Sequence, residues 1–154
     1  MKINLGYVAL PMTLDVTSSH TMTYTRYQML GPELGNAQLH KIILSNFGAL
    51  EKILYYNYKN KIHFYRLTSN LIPLATHPEV HYDFYEQYKE RYQRLGKLIR
   101  DYQIRVDFHP DQYCVINSIH NDVVEASVRL LNHHVKMMEL MGIEMKLVLH
   151  MGGG

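Results

Sequence analysis

The sequence carries one cysteine, no tryptophan, little net charge and no long apolar run. Cys114 alone cannot close an internal disulfide, which excludes the disulfide-stapled secreted class and fits a reducing cytoplasm. A formal net charge of +2 is too small to announce a nucleic-acid partner by itself. No basic, apolar and small-residue leader opens the chain, and no apolar stretch approaches the ~20 residues needed to cross a bilayer. No internal repeat, low-complexity tract or linker is present. The expectation is a soluble cytoplasmic protein with no membrane partner. By length alone, residues 1–154 suffice for one ordinary domain with a respectable core. Ring side chains are plentiful instead, with 13 tyrosines and 10 histidines. Amphipathic rings of this kind suit stacking and interfaces, and most of the histidines need no special role.

Strand and helix patterns alternate along the chain. Apolar alternation predicts strands over residues 3–7, 61–67, 104–109 and 146–150. Helical spacing predicts a helix over 36–58 capped by Asn36 and another over 82–102 with a core-facing stripe through Tyr85, Tyr88, Tyr92, Leu95, Leu98, Ile99 and Tyr102. A third, over 121–141, turns Val124, Val128, Leu131, Val135 and Met138 inward and stops at Gly142. His133 and His134 on that helix read as packing or surface residues. Residues 8–35, with Pro11, Gly31, Pro32 and Gly35, read as a long surface excursion with a short hairpin or helical turn, or as a loop over the C-terminal rim of the sheet. This order predicts an α/β fold, a parallel sheet with right-handed crossovers.

The stretch Arg105-Val106-Asp107-Phe108-His109-Pro110-Asp111-Gln112-Tyr113 is the most informative. Ile104, Val106 and Phe108 form one row, and Arg105, Asp107 and His109 form a charged row opposite, because successive side chains alternate. Buried parallel strands are normally apolar on both faces, so a polar face ending in an imidazole asks for an explanation. Leu147-Val148-Leu149-His150-Met151-Gly152-Gly153 repeats the pattern of a strand ending in histidine before a loop. Strand C-termini are where parallel sheets place their sites. The plain alternative is that both imidazoles are polar plugs at the mouth of the fold.

These motifs resemble the UV damage endonucleases, together with Leu5-Gly6-Tyr7, Phe64-Tyr65-Arg66-Leu67-Thr68-Ser69-Asn70-Leu71-Ile72-Pro73 and Ala75-Thr76-His77-Pro78, in family order across almost the whole chain. The resemblance implies a TIM-type parallel (β/α) barrel with a divalent metal cluster. Such an enzyme nicks the phosphodiester 5′ of ultraviolet photoproducts in double-stranded DNA. A full barrel takes about 250 residues. The four strands and three major helices expected here would therefore be the N-terminal half, inactive by itself. His109 and His150 match family metal ligands, for Mn²⁺ foremost, with Zn²⁺, Co²⁺ or Mg²⁺ as alternatives. His77 matches a third site histidine, a ligand or a partner of the scissile phosphate, or else an ordinary loop cap. Tyr7, Gln112 and Tyr113 match residues that contact DNA and probe the lesion. On the plain reading Tyr113 packs beside Cys114 and Val115. Arg26, Lys41 and Arg66 are basic, but single basic residues assign nothing.

Two other readings are kept. One is a metal-dependent sugar isomerase on a similar barrel. The other is a non-catalytic half-barrel that pairs with a second copy through exposed strand edges.

Overall fold

The computed structural model describes residues 6–7, 11, 13–110 and 113–149. Strands β1 (Gly6–Tyr7), β2 (Phe64–Leu67) and β3 (Arg105–Phe108) alternate with helices α1 (Tyr24–Lys59), α2 (Lys89–Asp101) and α3 (Asn121–Met141). The strands are parallel and lie in sequence order, with Tyr7 opposite Tyr65 and Tyr65 opposite Val106. Beyond β3, Leu147 adds a parallel bridge to Phe108: the Phe108 N–H donates to the Lys146 carbonyl and the Val148 N–H to the Phe108 carbonyl, both at 3.0 Å. The expected fourth strand is thus a single bridge among the described residues, and His150 lies outside them.

Register partners in a parallel sheet share a face. Tyr65, Leu67, Val106 and Phe108 therefore line one face, and they join buried side chains of α1, α2 and α3 in a single apolar cluster. Phe47 of α1 meets Tyr92 of α2 edge-on at 5.0 Å inside it. Phe64, Arg66, Arg105 and Asp107 share the opposite face. Of the predicted stripe, Tyr88 (in the turn before α2), Tyr92, Leu95 and Ile99 are buried, and Tyr85, Leu98 and Tyr102 are half-buried.

The largest departure is α1. It begins at Tyr24, inside the expected loop, and its cap is Thr23, whose Oγ1 accepts from the Arg26 N–H at 3.2 Å. Gly31 bends its course at φ 74°, ψ 168°, and Pro32 opens the next run. In sequence that pair reads as a break, because glycine favours positive φ and proline lacks the N–H that continues a helix. Here it is a kink between two helical runs. Asn36 is not a cap; its Oδ1 accepts from the Tyr27 hydroxyl at 2.9 Å.

The second helix is shorter than its pattern. Asp83 accepts the N–H groups of Glu86 and Gln87, a 3₁₀ turn spans Glu86–Tyr88, and α2 starts only after it. Helix α3 has the predicted bounds and closes on Gly142 at φ 60°. Its buried side chains are Ser127, His133, His134, Met137, Met138 and Met141, however, and Val128 is 45% exposed. The arc is displaced because α3 packs on both α2 and the sheet.

All three helices turn into the following segment alike. The N–H groups of Ile62, Ile104 and Ile143 reach back to the carbonyls of Asn57, Ile99 and Met138 at 2.9, 3.1 and 3.2 Å. This is the Schellman closure. Its left-handed residue is Gly142 in one case but Lys61 (φ 55°) and Gln103 (φ 54°) in the others. Sequence reasoning had no glycine to mark those two, and extended the strand over 61–67 back through the turn. Among the described residues no helix is long and apolar enough to cross a membrane.

Candidate functional site

The polar face of the sheet is organised by one ion pair. Arg66 on β2 points its Nε at Asp107 Oδ1 (2.9 Å) and its Nη2 at Oδ2 (3.3 Å), a two-point fork across neighbouring strands. The Asp107 side chain is 6% exposed and that of Arg66 26%. A carboxylate so desolvated persists only beside a cation that also satisfies its oxygens. Arg105 lies over the Phe64 ring at 5.7 Å on the same face.

Beyond this pair β3 runs into His109, whose carbonyl accepts from Ser69 Oγ at 2.6 Å. Ser69 opens the 3₁₀ turn Ser69–Leu71, and Thr68 before it accepts from the Asn70 N–H (3.1 Å) and from Ser19 Oγ (2.9 Å). The loop after β2, the end of β3 and the segment before α1 are thereby tied together. Asn46 of α1 is the hub. Fully buried, its Oδ1 accepts from the His20 N–H (2.9 Å), and its Nδ2 donates to the carbonyls of His20 (2.8 Å), Asn70 (3.3 Å) and Leu71 (3.1 Å). Sequence reasoning missed Asn46. The available signal was an amide on the apolar stripe between Ile43 and Phe47.

Tyr113 stands on the loop after β3 with 76% of its surface exposed, where the plain reading expects it packed beside Cys114 and Val115. Its neighbours are anchored: Cys114 is buried against α3, and the Val115 N–H donates to Ser127 Oγ at 2.9 Å. Ser127 in turn donates to the Val123 carbonyl at 2.8 Å. The ring thus stands on a fixed base. Gln112 lies outside the described residues.

Tyr7 is half-buried. Its register places it on the helix side, with its hydroxyl donating to Asn57 Oδ1 at 2.8 Å and its ring 5.1 Å from that of Tyr65. Burial, and then Tyr65, push its phenol up to about 12. His77 stacks on Tyr24 with ring centroids 3.7 Å apart, and its Nδ1 accepts from the Glu79 N–H at 3.3 Å. The Tyr24 hydroxyl donates to the Glu79 carboxylate.

His133 and His134 sit behind the sheet, both buried. His133 Nδ1 meets the Tyr85 hydroxyl at 2.8 Å, His134 Nδ1 meets the Leu130 carbonyl at 2.8 Å, and neither Nε2 has a partner among the described residues. Burial, and then the neighbouring imidazole, hold His133 down at about 3; burial also lowers His134. The folded form keeps both neutral, whereas the unfolded chain protonates them near 6.5. Their contribution is complete above that value and is lost as pH falls below it, for His133 at roughly 1.4 kcal/mol per pH unit until about 3. Urea unfolding should show the midpoint dropping between pH 7 and pH 4.5, and His133→Phe should flatten that slope. An unchanged slope in the variant would contradict the assignment.

Among the described residues no three His, Cys, Asp or Glu side chains gather as a metal ion requires. Asp107 is engaged by Arg66, and His77 by Tyr24 and the Glu79 amide. The described residues do not by themselves fit a metal centre.

A family profile described as "UV-endonuclease UvdE" matches residues 3–154. UV DNA damage endonucleases of Bacillus cereus (strain B4264) and Bacillus mycoides (strain KBAB4) are each 32% identical to this chain over 156 residues, covering 99% of it and 49% of the relative. The crystal structure of SacUVDE superposes with a TM-score of 0.89 at 32% identity, over 99% of this chain and 50% of that one. The chain spans about half the length of the curated relatives it matches.

Proposed function

Because this chain belongs to the UV-endonuclease UvdE family, we propose that it supplies the damage-recognition half of a DNA repair endonuclease acting on UV-damaged double-stranded DNA. The reaction is a nick immediately 5′ of the photoproduct, and the chain alone binds without cutting. Family membership favours this over the sugar-isomerase reading.

The architecture proposed is half of a TIM-type barrel. What supports it is the run of parallel strands in sequence order, one face joined to all three helices in a single core and the other polar. β1 has no described strand along its outer edge, and that edge is where a second copy would pair.

The observation that carries the functional reading is Tyr113, an aromatic ring held in solvent on an anchored loop directly after β3. Photoproducts stack poorly, so displacing them costs less than displacing normal bases, and an exposed ring offers the stacking surface in exchange. Gln112 beside it adds an amide that both donates and accepts. Tyr7 contributes its ring rather than its hydroxyl, which Asn57 holds. With Nδ1 accepting from the Glu79 N–H, His77 leaves Nε2 as the ring nitrogen that can donate to a phosphodiester oxygen.

His109 and His150 would lend imidazole nitrogens to a divalent metal, Mn²⁺ foremost. Completing that site takes carboxylates that the described residues do not bring together. Bound, such a metal supplies Lewis acidity to the phosphodiester.

The test is fluorescence anisotropy with a duplex carrying one photoproduct and the same duplex undamaged. The photoproduct duplex should bind more tightly, and Tyr113→Ala should remove about tenfold of that preference, as the loss of one stacked base implies. Repeating the titration with Mn²⁺ should strengthen binding only while His109 and His150 are intact. Equal affinity for both duplexes would sink the reading.

A further inference from the structure

The kink in α1 opens a cleft of about 520 Å³ that the lesion-probing residues do not account for. Arg26 and Lys41 line it from either side of the kink, with Thr21 and Gln38 between apolar walls at Leu30 and Leu34. Among the described residues no carboxylate lines it. Seven other basic side chains each lie within 4.0 Å of a carboxylate. The cleft at Arg91 and Arg94, for contrast, carries Glu86 and Glu90. Arg26 and Lys41 are exposed and have no ion-pair partner among the described residues.

The start of α1, which lines the cleft, is tied to the proposed DNA-facing rim. Tyr24, two residues before Arg26, stacks on His77, and Asn46 binds the segment leading into α1 to the loop after β2. Two uncompensated cations with hydroxyl and amide donors between them match phosphodiester oxygens, and the apolar walls match deoxyribose carbons.

We propose that this cleft is a backbone subsite, in which Arg26 and Lys41 hold phosphates of the DNA flanking the lesion. The inference rests on the DNA reading above, but it concerns grip rather than damage recognition. Phosphate contacts position a duplex and carry no sequence or lesion information. Each one releases counterions, so it shows in the salt dependence of binding.

The experiment measures log Kd against log salt concentration for undamaged and photoproduct duplexes. It compares the natural chain with Arg26→Ala/Lys41→Ala and with the charge-keeping Arg26→Lys/Lys41→Arg. The alanine pair should lower the slope by about 1.8, at about 0.9 per phosphate contact, and weaken both duplexes by the same factor. The charge-keeping pair should retain the natural slope. Both side chains are exposed, so thermal melting should be unchanged. A slope equal to that of the natural chain overturns the inference and leaves damage recognition standing. So does a loss confined to the photoproduct duplex. A reduced slope in a chain with no preference for damage overturns the recognition reading and keeps the subsite. Absence of any duplex binding overturns both.

Discussion

Gly96→Ala is expected to cost about 3 kcal/mol or more of stability, although alanine is the better helix residue by about 1 kcal/mol. A Cβ at this position would lie 1.6 Å from the Met141 carbonyl oxygen, 2.5 Å from its carbon and 2.9 Å from its Cα. These are backbone atoms, which no rotamer change can move aside, so α2 and α3 must separate. Arg100 closes the same contact, its Nη1 donating to the carbonyls of Met141 (2.8 Å) and Gly142 (2.7 Å), and a separation breaks those bonds too. Gly48 of α1 is the internal control, since an added Cβ there meets nothing within 4 Å. Urea denaturation should therefore show Gly48→Ala neutral or stabilising and Gly96→Ala severely destabilising. Equal midpoints for the two variants would mean the helices do not approach as closely as described.

Arg66→Ala should be comparably damaging, by about 3–5 kcal/mol, because it strands the carboxylate of Asp107 in the sheet. The reverse change, Asp107→Ala, should cost less: Arg66 is partly exposed and can turn its guanidinium to water. Replacing both, as Arg66→Met with Asp107→Leu, should recover most of the loss, since the penalty lies in an unpaired buried charge rather than in the missing attraction. A double-mutant cycle by denaturation measures this. Additive losses would mean that the two side chains do not act as a pair.

The pair also shows how far the candidate site can be read without coordinates. Alternation alone put Arg105, Asp107 and His109 on one row, and the structure places Arg105 and Asp107 together on the face away from the helices. Alternation says nothing of Arg66, which is 41 residues earlier and meets Asp107 only because β2 and β3 pair in that register. Asn46 was hidden for the same reason. A helical amide is unremarkable until residues 20, 70 and 71 are seen to converge on it. Arg26 and Lys41, unassigned as single basic residues, acquire a meaning only when the kink brings them into one cleft.

Sequence by itself determined the alternation of strand and helix, the buried tyrosine stripe of α2, both ends of α3 and the order of motifs that marks the family. Each depends on side chains a few residues apart, through periodicity, capping or a stop. Tertiary structure alone decided that Gly31 and Pro32 kink a helix, that Lys61 and Gln103 take left-handed turns without glycine, and that Gly96 admits α3. Those outcomes were settled by packing between segments distant in the chain, where burial and paired charge outweigh the local preferences that a sequence displays.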